Sequence, residues 1–269
     1  MPISTTHQEP LTPVLSIVIP VYNEPDLWRK LLQCVEAVDM GDVGREIIIV
    51  EDGSNDGTTE QIRRFADNLG PQPDRPGAGG FSYRVIFHEK NRGKGAALRT
   101  GFAAACGDVV VVQDADLEYD PADFARLAEP ILEDRADVVY GTRFGPGRGR
   151  KGYLANYLAN RMLTWLSNLT TGLKLTDMET CYKMFRREVL LRLTLEQDRF
   201  GFEPEVTAAL ARLDVRIAEL PIRYQGRSRS EGKKIGIKDG LQAIRCIFRY
   251  GRRGKRRASM VKISPPGRR

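Results

Sequence analysis

The chain has 269 residues, of which 41% are apolar and 29% are charged, enough to build one large folded domain. This composition excludes a disordered chain, a collagen-like repeat and a small domain stapled by disulfides. The net charge is +7, but residues 245–269 hold ten of the 42 Lys and Arg and no acid, which leaves 32 basic against 35 acidic residues in the rest.

The basic C-terminus is typical of a segment that binds anionic lipid or nucleic acid, and equally of a solvated tail. There is no run of about 18 apolar residues, so no transmembrane helix is predicted. The N-terminus lacks the pattern of a signal peptide and the four cysteines include no C-x-x-C pair, which fits a reducing cytosol. With only two histidines, a Cys/His zinc site and a His-dependent nucleophile are both disfavoured.

Predicted strands and helices alternate over the first 140 residues. Short β-branched runs predict strands at 14–20, 46–50, 83–88, 108–113 and 137–140. Apolar residues at helical spacing predict helices at about 23–38, at 57–69, from 95 and after 121. The Pro- and Gly-rich stretch 70–80 predicts a surface loop. This alternation predicts an α/β fold with a mostly parallel, doubly wound sheet flanked by helices.

The second half of the chain is richer in basic loops. Two of them, 145–152 and 226–234, combine glycine with Lys and Arg. Helices are predicted at 154–169, 202–213 and about 237–250, and a strand at 215–224.

Polar residues follow the predicted strands, at the edge where open parallel sheets bind ligands. They are Tyr22, Glu24, Glu51, Asp52, Asp114, Asp116 and Arg143. Asp114 and Asp116 directly follow the strand pattern VVVVQ, and two carboxylates one residue apart can share a divalent cation. Because the ligand atoms are hard oxygens, Mg²⁺ or Mn²⁺ is favoured over zinc. A solvated turn is the alternative for a D-x-D pair taken alone.

Two further features suit a phosphate ligand. Lys94 lies in NRGKGAALRTG, which matches no nucleotide fingerprint and is typical of a helix start, although the lysine could face a phosphate. The second basic loop contains Arg227, Arg229, Lys233 and Lys234. If the ligand is a diphosphate, a metal on one side and these cations on the other would neutralise it. Surface solvation of the loop is the alternative.

Five segments in combination resemble a family 2 glycosyltransferase of the GT-A fold. They are IVIPVYNE (17–24), EIIIVEDGSNDGT (46–58), NRGKGAALRTGF (91–102), VVVVQDADLEYDP (109–121) and GTRF (141–144). Within that family the chain is most similar, over about 14–250, to polyprenyl-phosphate glycosyltransferases of the dolichol-phosphate mannose synthase type. The resemblance implies transfer of a sugar from a nucleotide diphosphate donor to a lipid phosphate, with inversion at the anomeric carbon.

The resemblance also implies roles for single positions. The nucleotide would contact Pro20, Tyr22, Glu24, Val50, Asp52 and Ala115. The metal on the diphosphate, Mg²⁺ or Mn²⁺, would bind Asp114, Asp116 and Glu118. Arg143 would meet the phosphates of donor and acceptor, and the diphosphate would be clamped by Arg227 and Lys233. Asp116 and Arg143 are therefore the expected catalytic residues.

On the acceptor side, one segment and one single residue depart from the family pattern. The usual D-x-T-S-G-F-R segment is DMETCYK in residues 177–183, and Asn156 occupies a position where the family often has an acceptor-contacting Ser. A lipid phosphate is anionic at neutral pH and needs no general base, whereas a sugar hydroxyl does. Asp177 and Glu179 are the candidate bases for a hydroxyl acceptor, and both are equally compatible with a structural role.

We therefore predict a metal-dependent, inverting glycosyltransferase that moves a hexose to a polyprenyl phosphate at the cytoplasmic face of a membrane. GDP-mannose is the favoured donor, and UDP-glucose is open. The basic tail and the loop at 148–151 would hold this peripheral protein to anionic lipid, at about 1 kcal/mol per basic residue near the surface. Ile244, Ile247 and Phe248 would add an apolar contact, unless helix packing explains them. A membrane-embedded partner subunit is compatible with this prediction.

The expected domain organisation is one domain, 14–250, between an N-terminal tail (1–13) and a basic tail (251–269). Residues 14–144 would form its nucleotide-sugar and metal half, and 145–250 its acceptor half with the basic loop.

Three other functions fit parts of the sequence. The main alternative is the same fold with a sugar or glycolipid hydroxyl as acceptor. A haloacid-dehalogenase phosphatase is disfavoured because Glu118 replaces its Thr or Val, and the acidic body argues against a nucleic-acid-binding protein.

Overall fold

The computed structural model describes residues 12–144, 154–227, 237–251 and 257–263. In these residues eight strands form one sheet: β1 (Val14–Val21), β2 (Gly44–Glu51), β3 (Phe81–Phe87), β4 (Val109–Val112), β5 (Val138–Thr142), β6 (Lys183–Arg186), β7 (Arg216–Pro221) and β8 (Ser259–Met260). Their order across the sheet is β3-β2-β1-β4-β6-β5-β7-β8. The helices are α1 (Trp28–Glu36), α2 (Thr58–Asp67), α3 (Lys94–Ala104), α4 (Phe124–Leu132), α5 (Leu154–Thr171), α6 (Arg187–Leu190), α7 (Phe202–Arg212) and α8 (Ile237–Gly251).

The parallel half of the sheet is built from β-branched residues that are buried on both faces. β1 lies between β2 and β4 and is parallel to both, and β3 extends the sheet parallel to β2. Every residue of β2 and β4 is buried, as is every residue of β1 except Pro20. Such strands need helices over both faces. The prediction of a mostly parallel α/β sheet flanked by helices is confirmed.

The first helix begins later than the sequence predicts, at Trp28 rather than at about 23. Asn23 has a left-handed backbone, with φ of 52°, and its side-chain oxygen accepts the N–H of Asn55 at 3.0 Å. Residues 22–27 therefore form a turn that is tied to the segment after β2. This turn replaces the predicted first helical turn and places Glu24 at the end of the sheet.

The sequence does not predict β6, which runs antiparallel between β4 and β5. Its four residues, KMFR, show neither an apolar run nor the alternation that signals a strand. Because β6 runs opposite to its neighbours, its first residue lies at the edge where β4 and β5 end. Residues 177–182 thereby enter the same edge as Asp114 and Arg143.

Part of the segment expected to be a basic tail forms β8. Ser259 and Met260 pair in parallel with β7, and Ala258 before them is buried. Residues 257–263 therefore extend the edge of the sheet. Among the described residues, no helix has both the length and the hydrophobicity that crossing a bilayer requires.

Several predicted features lie outside the described residues. They are most of the two basic loops, including Arg229, Lys233 and Lys234, and the remaining residues of the basic tail, 252–256 and 264–269.

Candidate active site

The polar residues that follow the parallel strands share one edge of the sheet. Tyr22 and Glu24 follow β1, Asp52 follows β2, residues 114–118 follow β4 and Arg143 follows β5. The amino end of β6 lies at the same edge. Five segments that are distant in sequence therefore line this edge.

The turns after β1 and β2 are bonded to each other. The main-chain N–H of Asn23 donates to Ser54 Oγ at 3.0 Å, and that of Glu24 donates to Thr58 Oγ1 at 3.2 Å. The fully buried carboxylate of Glu51 in turn accepts the N–H of Ser54 at 2.7 Å. These hydrogen bonds join the two turns into one wall of the site and fix the backbone position of Glu24.

Asp52 is buried and its carboxylate is surrounded by donors. Oδ1 lies 2.6 Å from His88 Nδ1 and accepts the N–H of Arg92 at 3.0 Å. Oδ2 accepts from Asn91 Nδ2 at 3.0 Å and from the N–H of Gly93 at 2.8 Å. The structure thus shows Asp52 ordering the turn that leads into α3. Its expected contact with the nucleotide stays a prediction.

Asp114, the first aspartate of the D-x-D pair, is bound by a lysine. Lys94 Nζ, at the start of α3, lies 2.7 Å from Oδ1 and 2.9 Å from Oδ2 of Asp114. Burial is the largest single effect and lowers the pKa of Lys94, but the negative charges around it, first that of Asp114, and its hydrogen bond to Asp114 together raise the pKa well above its ordinary value. Lys94 therefore stays charged and holds Asp114, and its expected contact with a phosphate stays a prediction.

Arg227 lies among the other carboxylates of this edge. Its guanidinium nitrogens are 3.3 Å from Asp116 Oδ2, 3.4 Å from Glu24 Oε2 and 3.8 Å from Glu118 Oε1. Its main-chain N–H also donates to Glu118 Oε1 at 2.8 Å, and Glu118 Oε2 accepts the Tyr224 hydroxyl at 2.8 Å. The Arg227 side chain is only 16% exposed. One largely buried cation therefore neutralises three carboxylates with expected nucleotide or metal roles.

The carboxylates of the D-x-D segment destabilise one another. Burial, and then the charges of Asp114 and Glu118, raise the pKa of Asp116 to about 7, against the opposing effect of Arg227. Between the two acids, Leu117 has a left-handed backbone with φ of 58°, a conformation that is strained for leucine. Like charges and backbone strain in one turn are typical of a functional site.

The donor atoms of this turn fit a divalent cation that is bound together with a phosphate ligand. Among the described residues, no three His, Cys, Asp or Glu side chains are grouped as a complete metal site. Mg²⁺, however, is usually held by one or two carboxylates, substrate phosphates and water. Asp116 and Glu118 offer hard oxygens, and Arg227 shows that a positive charge is stable between them. Asp114 has both oxygens on Lys94 and lies beside this pair.

Arg143 is held by Asp177 in a two-pronged ion pair. Nε and Nη2 of Arg143 donate to the two oxygens of Asp177, each at 2.7 Å, and its main-chain N–H donates to Oδ2 at 3.0 Å. Asp177 is fully buried, and the guanidinium also lies over the ring of Tyr224, 5.2 Å from its centroid. Asp177, one of the two candidate bases, therefore orients Arg143.

Glu179, the other candidate base, lies in a different environment from Asp177. Its Oε1 is buried and finds no hydrogen-bond partner among the described residues. Burial, and then the charge of Glu203, raise the pKa of Glu179 to about 7, although Lys183 and Arg143 lower it. This buried carboxyl therefore changes its charge near neutral pH.

A buried network of ion pairs, which the sequence analysis did not predict, links Lys94 beside the D-x-D segment to the start of β6. Lys183, with no exposed surface, donates to the carboxylate of Glu203 and to the carbonyl of Thr180. The other oxygen of Glu203 lies 3.6 Å from Nζ of Lys94, which binds Asp114. The available signal was Glu203 at the start of the mostly apolar helix α7, which also contains Glu205, because a buried acid needs a partner.

The structure brings together only some of the expected site residues. Those in direct contact at the acidic edge are Glu24, Asp116, Glu118 and Arg227. Pro20 and Val50 are register partners in β1 and β2, and Ala115 is buried. Asn156 is exposed on α5, and Lys233 lies outside the described residues.

Comparisons with known sequences agree on one family. The family model for glycosyl transferase family 2 matches residues 16–194. The chain is 31% identical to an undecaprenyl-phosphate 4-deoxy-4-formamido-L-arabinose transferase from Aeromonas hydrophila, over 82% of the chain and 62% of that protein. It is 32% identical to an undecaprenyl-phosphate mannosyltransferase from Micrococcus luteus, over 87% of the chain and 92% of that protein.

A solved structure shows the same fold. Glucosyl-3-phosphoglycerate synthase from Mycobacterium tuberculosis, crystallised with Mn²⁺, UDP and glucosyl-3-phosphoglycerate, is 21% identical and superposes with a TM-score of 0.60. The match covers 88% of this chain and 80% of that one. The family model covers more than half of the sequence, and the chain therefore belongs to glycosyl transferase family 2, as a glycosyltransferase with the GT-A fold.

Proposed function

We propose that this chain transfers a sugar from a nucleotide diphosphate donor to a polyprenyl phosphate, with inversion, at the cytoplasmic face of a membrane. The two relatives described above are named for different sugars but for the same lipid phosphate. Their names therefore support the class of acceptor more than the identity of the sugar. GDP-mannose is the first donor to test, and UDP-glucose is the second.

The observation that carries the proposal is the geometry of Arg143. A guanidinium has five N–H donors, and Asp177 accepts one from Nε and one from Nη2. The remaining donors suit the oxygens of a phosphate, for which a planar, permanently charged arginine is well adapted. Asp177 keeps this arginine in one orientation, so the acceptor phosphate would meet a preorganised cation.

In the proposed reaction, an oxygen of the acceptor phosphate attacks the anomeric carbon of the sugar. The bond from that carbon to the nucleotide diphosphate breaks, and its electron pair leaves with the diphosphate. No proton has to be removed, because the attacking phosphate is already ionised. Arg143 would neutralise the acceptor, and Arg227, released from its carboxylates, would neutralise the leaving diphosphate.

Donor binding is assigned to the wall formed by the turns after β1 and β2. The proposed nucleotide contacts are Pro20, Tyr22, Glu24, Val50, Asp52 and Ala115, and Asp52 also orders the turn before α3. Asp116 and Glu118 would hold Mg²⁺ or Mn²⁺, with Asp114 beside them. When bound, the metal would supply positive charge to the diphosphate.

A hydroxyl acceptor is the second candidate, and Glu179 is the observation that favours it. A general base works best when its pKa lies near the working pH, and the pKa of this buried carboxyl is about 7. If a sugar hydroxyl were the acceptor, Glu179 would be the group to take its proton.

The proposal is tested by incubating the purified chain with radiolabelled donor, a short polyprenyl phosphate and Mg²⁺ or Mn²⁺. Metal-dependent labelled lipid from one donor, lost in Asp116→Asn, supports it. Asp120→Asn is the matched control, because Asp120 lies on the same segment but caps a short 3-10 helix and pairs with exposed Arg223. Labelled sugar acceptors without any labelled lipid would contradict the proposal.

A further inference from the structure

Helix α5 carries four large apolar side chains on its outer face. Leu158, Met162, Trp165 and Leu169 are 56%, 48%, 62% and 67% exposed. Their spacing of four, three and four residues places them in one stripe along the helix. The face turned to the protein buries Leu163 together with the small polar residues Thr164 and Ser167. A helix that only packed on a core would carry polar side chains on its outer face.

The inner face of α5 holds the segment that positions the acceptor arginine. Thr164 Oγ1 accepts the N–H of Met178 at 3.1 Å, and Asn168 Nδ2 donates to the carbonyl of Leu175 at 2.8 Å. Asp177, which binds Arg143, lies within this segment. The apolar stripe is therefore separated from the acceptor side of the site by little more than the width of one helix, about 10 Å.

Helix α8 packs against α5 and adds to the exposed apolar surface. Leu241 and Phe248 are 63% and 40% exposed, and Arg245 lies between them on the same face. The two helices approach closely at Gly251, where a Cβ atom would collide with Thr170. Of the large apolar side chains that are exposed in the described residues, all but Leu132 and Leu191 lie on these two helices. Such a concentration marks an interaction surface.

Basic residues lie on this surface and next to it in the sequence, and one of them, Arg249, is paired with Glu196 at 3.3 Å. Arg245 and Arg249 line a surface depression on α8, together with Leu241. In the sequence, α5 is preceded by Arg148, Arg150 and Lys151. The five basic residues that directly follow α8 are Arg252, Arg253, Lys255, Arg256 and Arg257. Apolar stripes flanked by clustered basic residues are complementary to a bilayer with anionic headgroups.

We propose that the outer faces of α5 and α8 dock on an anionic lipid bilayer, with Trp165 and Leu169 entering the boundary between headgroups and acyl chains. This inference rests on the proposed function, because a polyprenyl phosphate offers its phosphate at such a surface. Docking through α5 brings that phosphate to the side of the site where Arg143 is held. The bilayer thus delivers the acceptor along the plane of the membrane.

Trp165 provides a direct probe, since the chain has only two tryptophans and the other, Trp28, is 4% exposed. The purified chain is titrated with phosphatidylcholine vesicles, with and without phosphatidylglycerol at about one third of the lipid. We expect a blue shift of the tryptophan emission, quenching by brominated lipid, and binding that is stronger with phosphatidylglycerol and weakened by salt. An emission spectrum that neither vesicle changes would overturn the proposal.

Substitution of the stripe tests its location. The triple variant Leu158→Ser, Trp165→Ser, Leu169→Ser, measured by co-sedimentation with vesicles, should lower the partition coefficient at least about tenfold. The matched control is Leu191→Ser, because Leu191 is 61% exposed but lies next to α6, away from the stripe. An equal loss of vesicle binding in Leu191→Ser, or no loss of vesicle binding in the triple variant, would overturn the proposal.

Two further readouts separate this inference from its alternatives. The triple variant should transfer sugar at the wild-type rate to a short, water-soluble isoprenyl phosphate. With a long polyprenyl phosphate in vesicles, the transfer rate of the triple variant should fall. If the wild type binds vesicles but glycosylates neither lipid, the proposed function fails and the docking surface stands. If the wild type forms a dimer that the triple variant cannot form, and binds no vesicles, the surface is an interface between two copies and the proposal is wrong.

Discussion

Arg227 sits where the proposed function places a metal and a diphosphate. It contacts oxygens of Glu24, Asp116 and Glu118, so a divalent cation would have to compete with its guanidinium for the same acidic turn. In this arrangement Arg227 neutralises the site before the donor binds. Once displaced, the same cation becomes available to the diphosphate.

Arg227→Gln should therefore bind Mn²⁺ more tightly in the absence of nucleotide, by about tenfold, because a competing charge is removed. The same variant should transfer sugar about 10- to 100-fold more slowly, because the leaving diphosphate loses a cation. Free Mn²⁺ is counted by electron paramagnetic resonance, and Arg223→Gln, at a 63% exposed arginine, is the control. Unchanged or weaker Mn²⁺ binding by Arg227→Gln would show that the guanidinium does not occupy the cation site.

Glu179 should make the stability of the protein depend on pH. Its pKa is raised from 4.5 to about 7, so the folded state binds the proton more tightly than the unfolded state does. The free energy of unfolding should then fall as pH rises from 4.5 to 7, by up to about 3 kcal/mol from this group, and stay level above 7.

Glu179→Gln should flatten that part of the pH profile, as measured by urea unfolding at several pH values. Glu188→Gln is the control, because the Glu188 side chain is 75% exposed. A profile that Glu179→Gln leaves unchanged would mean that the carboxyl is ionised in the folded protein throughout this range.

Helix α3 packs closely against the central strand β1 at Gly101. A Cβ atom on Gly101 would collide with Cγ1 of Val18 in β1, whereas nothing lies within 4 Å of a Cβ atom built on Gly240 in α8. Close approach of α3 matters for the site, since Lys94 at its start binds Asp114.

Gly101→Ala should therefore destabilise the protein by about 1 to 3 kcal/mol, as overpacking does. Gly240→Ala should stabilise it by up to about 1 kcal/mol, because alanine favours the helix and meets no obstacle. Thermal unfolding of both variants measures the difference. Equal melting temperatures would contradict the close packing of α3 on β1.

The elements also show what sequence patterns can predict. The parallel strands and their helices are specified locally, by apolar runs such as EIIIV and by helical spacing, and they were predicted correctly apart from their ends. β6 and β8 have four and two residues, and they exist because neighbouring strands supply their partners. Such strands depend on contacts that are distant in sequence and leave no local signal.

The same limit applies to the site. The positions of the D-x-D segment and Glu24 at strand ends were predicted from the sequence, and the resemblance implied Arg227 as a partner at the same site. The structure brings these residues into contact, and their roles stay predictions. The pairing of Lys94 with Asp114, of Lys183 with Glu203, and of Arg227 with three carboxylates could not be predicted. Each pair joins segments whose proximity is created only by the folded sheet.

Across the whole molecule, buried charges connect the segment that is proposed to bind the donor with the segment that is proposed to bind the acceptor. Glu203 lies between Lys94, which binds Asp114, and Lys183 at the start of β6. A buried ion pair of this kind contributes little net stability when intact, but breaking it leaves an uncompensated charge.

Glu203→Gln should lower the free energy of unfolding by about 3 kcal/mol or more, because the fully buried Lys183 loses its counter-ion. The double variant Glu203→Gln, Lys183→Met should recover much of that loss, since no buried charge remains. Urea denaturation of the single and double variants provides the test. A double variant no more stable than Glu203→Gln would show that the loss has another cause.

A matched pair of lipids distinguishes a phosphate acceptor from a hydroxyl acceptor. Transfer of labelled sugar is measured to a polyprenyl phosphate and to the polyprenol of the same length, with the same donor and metal. We expect a glycosylated lipid only from the phosphate, with the rate reduced at least about tenfold in Arg143→Lys, because lysine cannot reproduce the two-pronged pair with Asp177. Labelled product from the polyprenol, abolished in Glu179→Gln, would contradict this expectation.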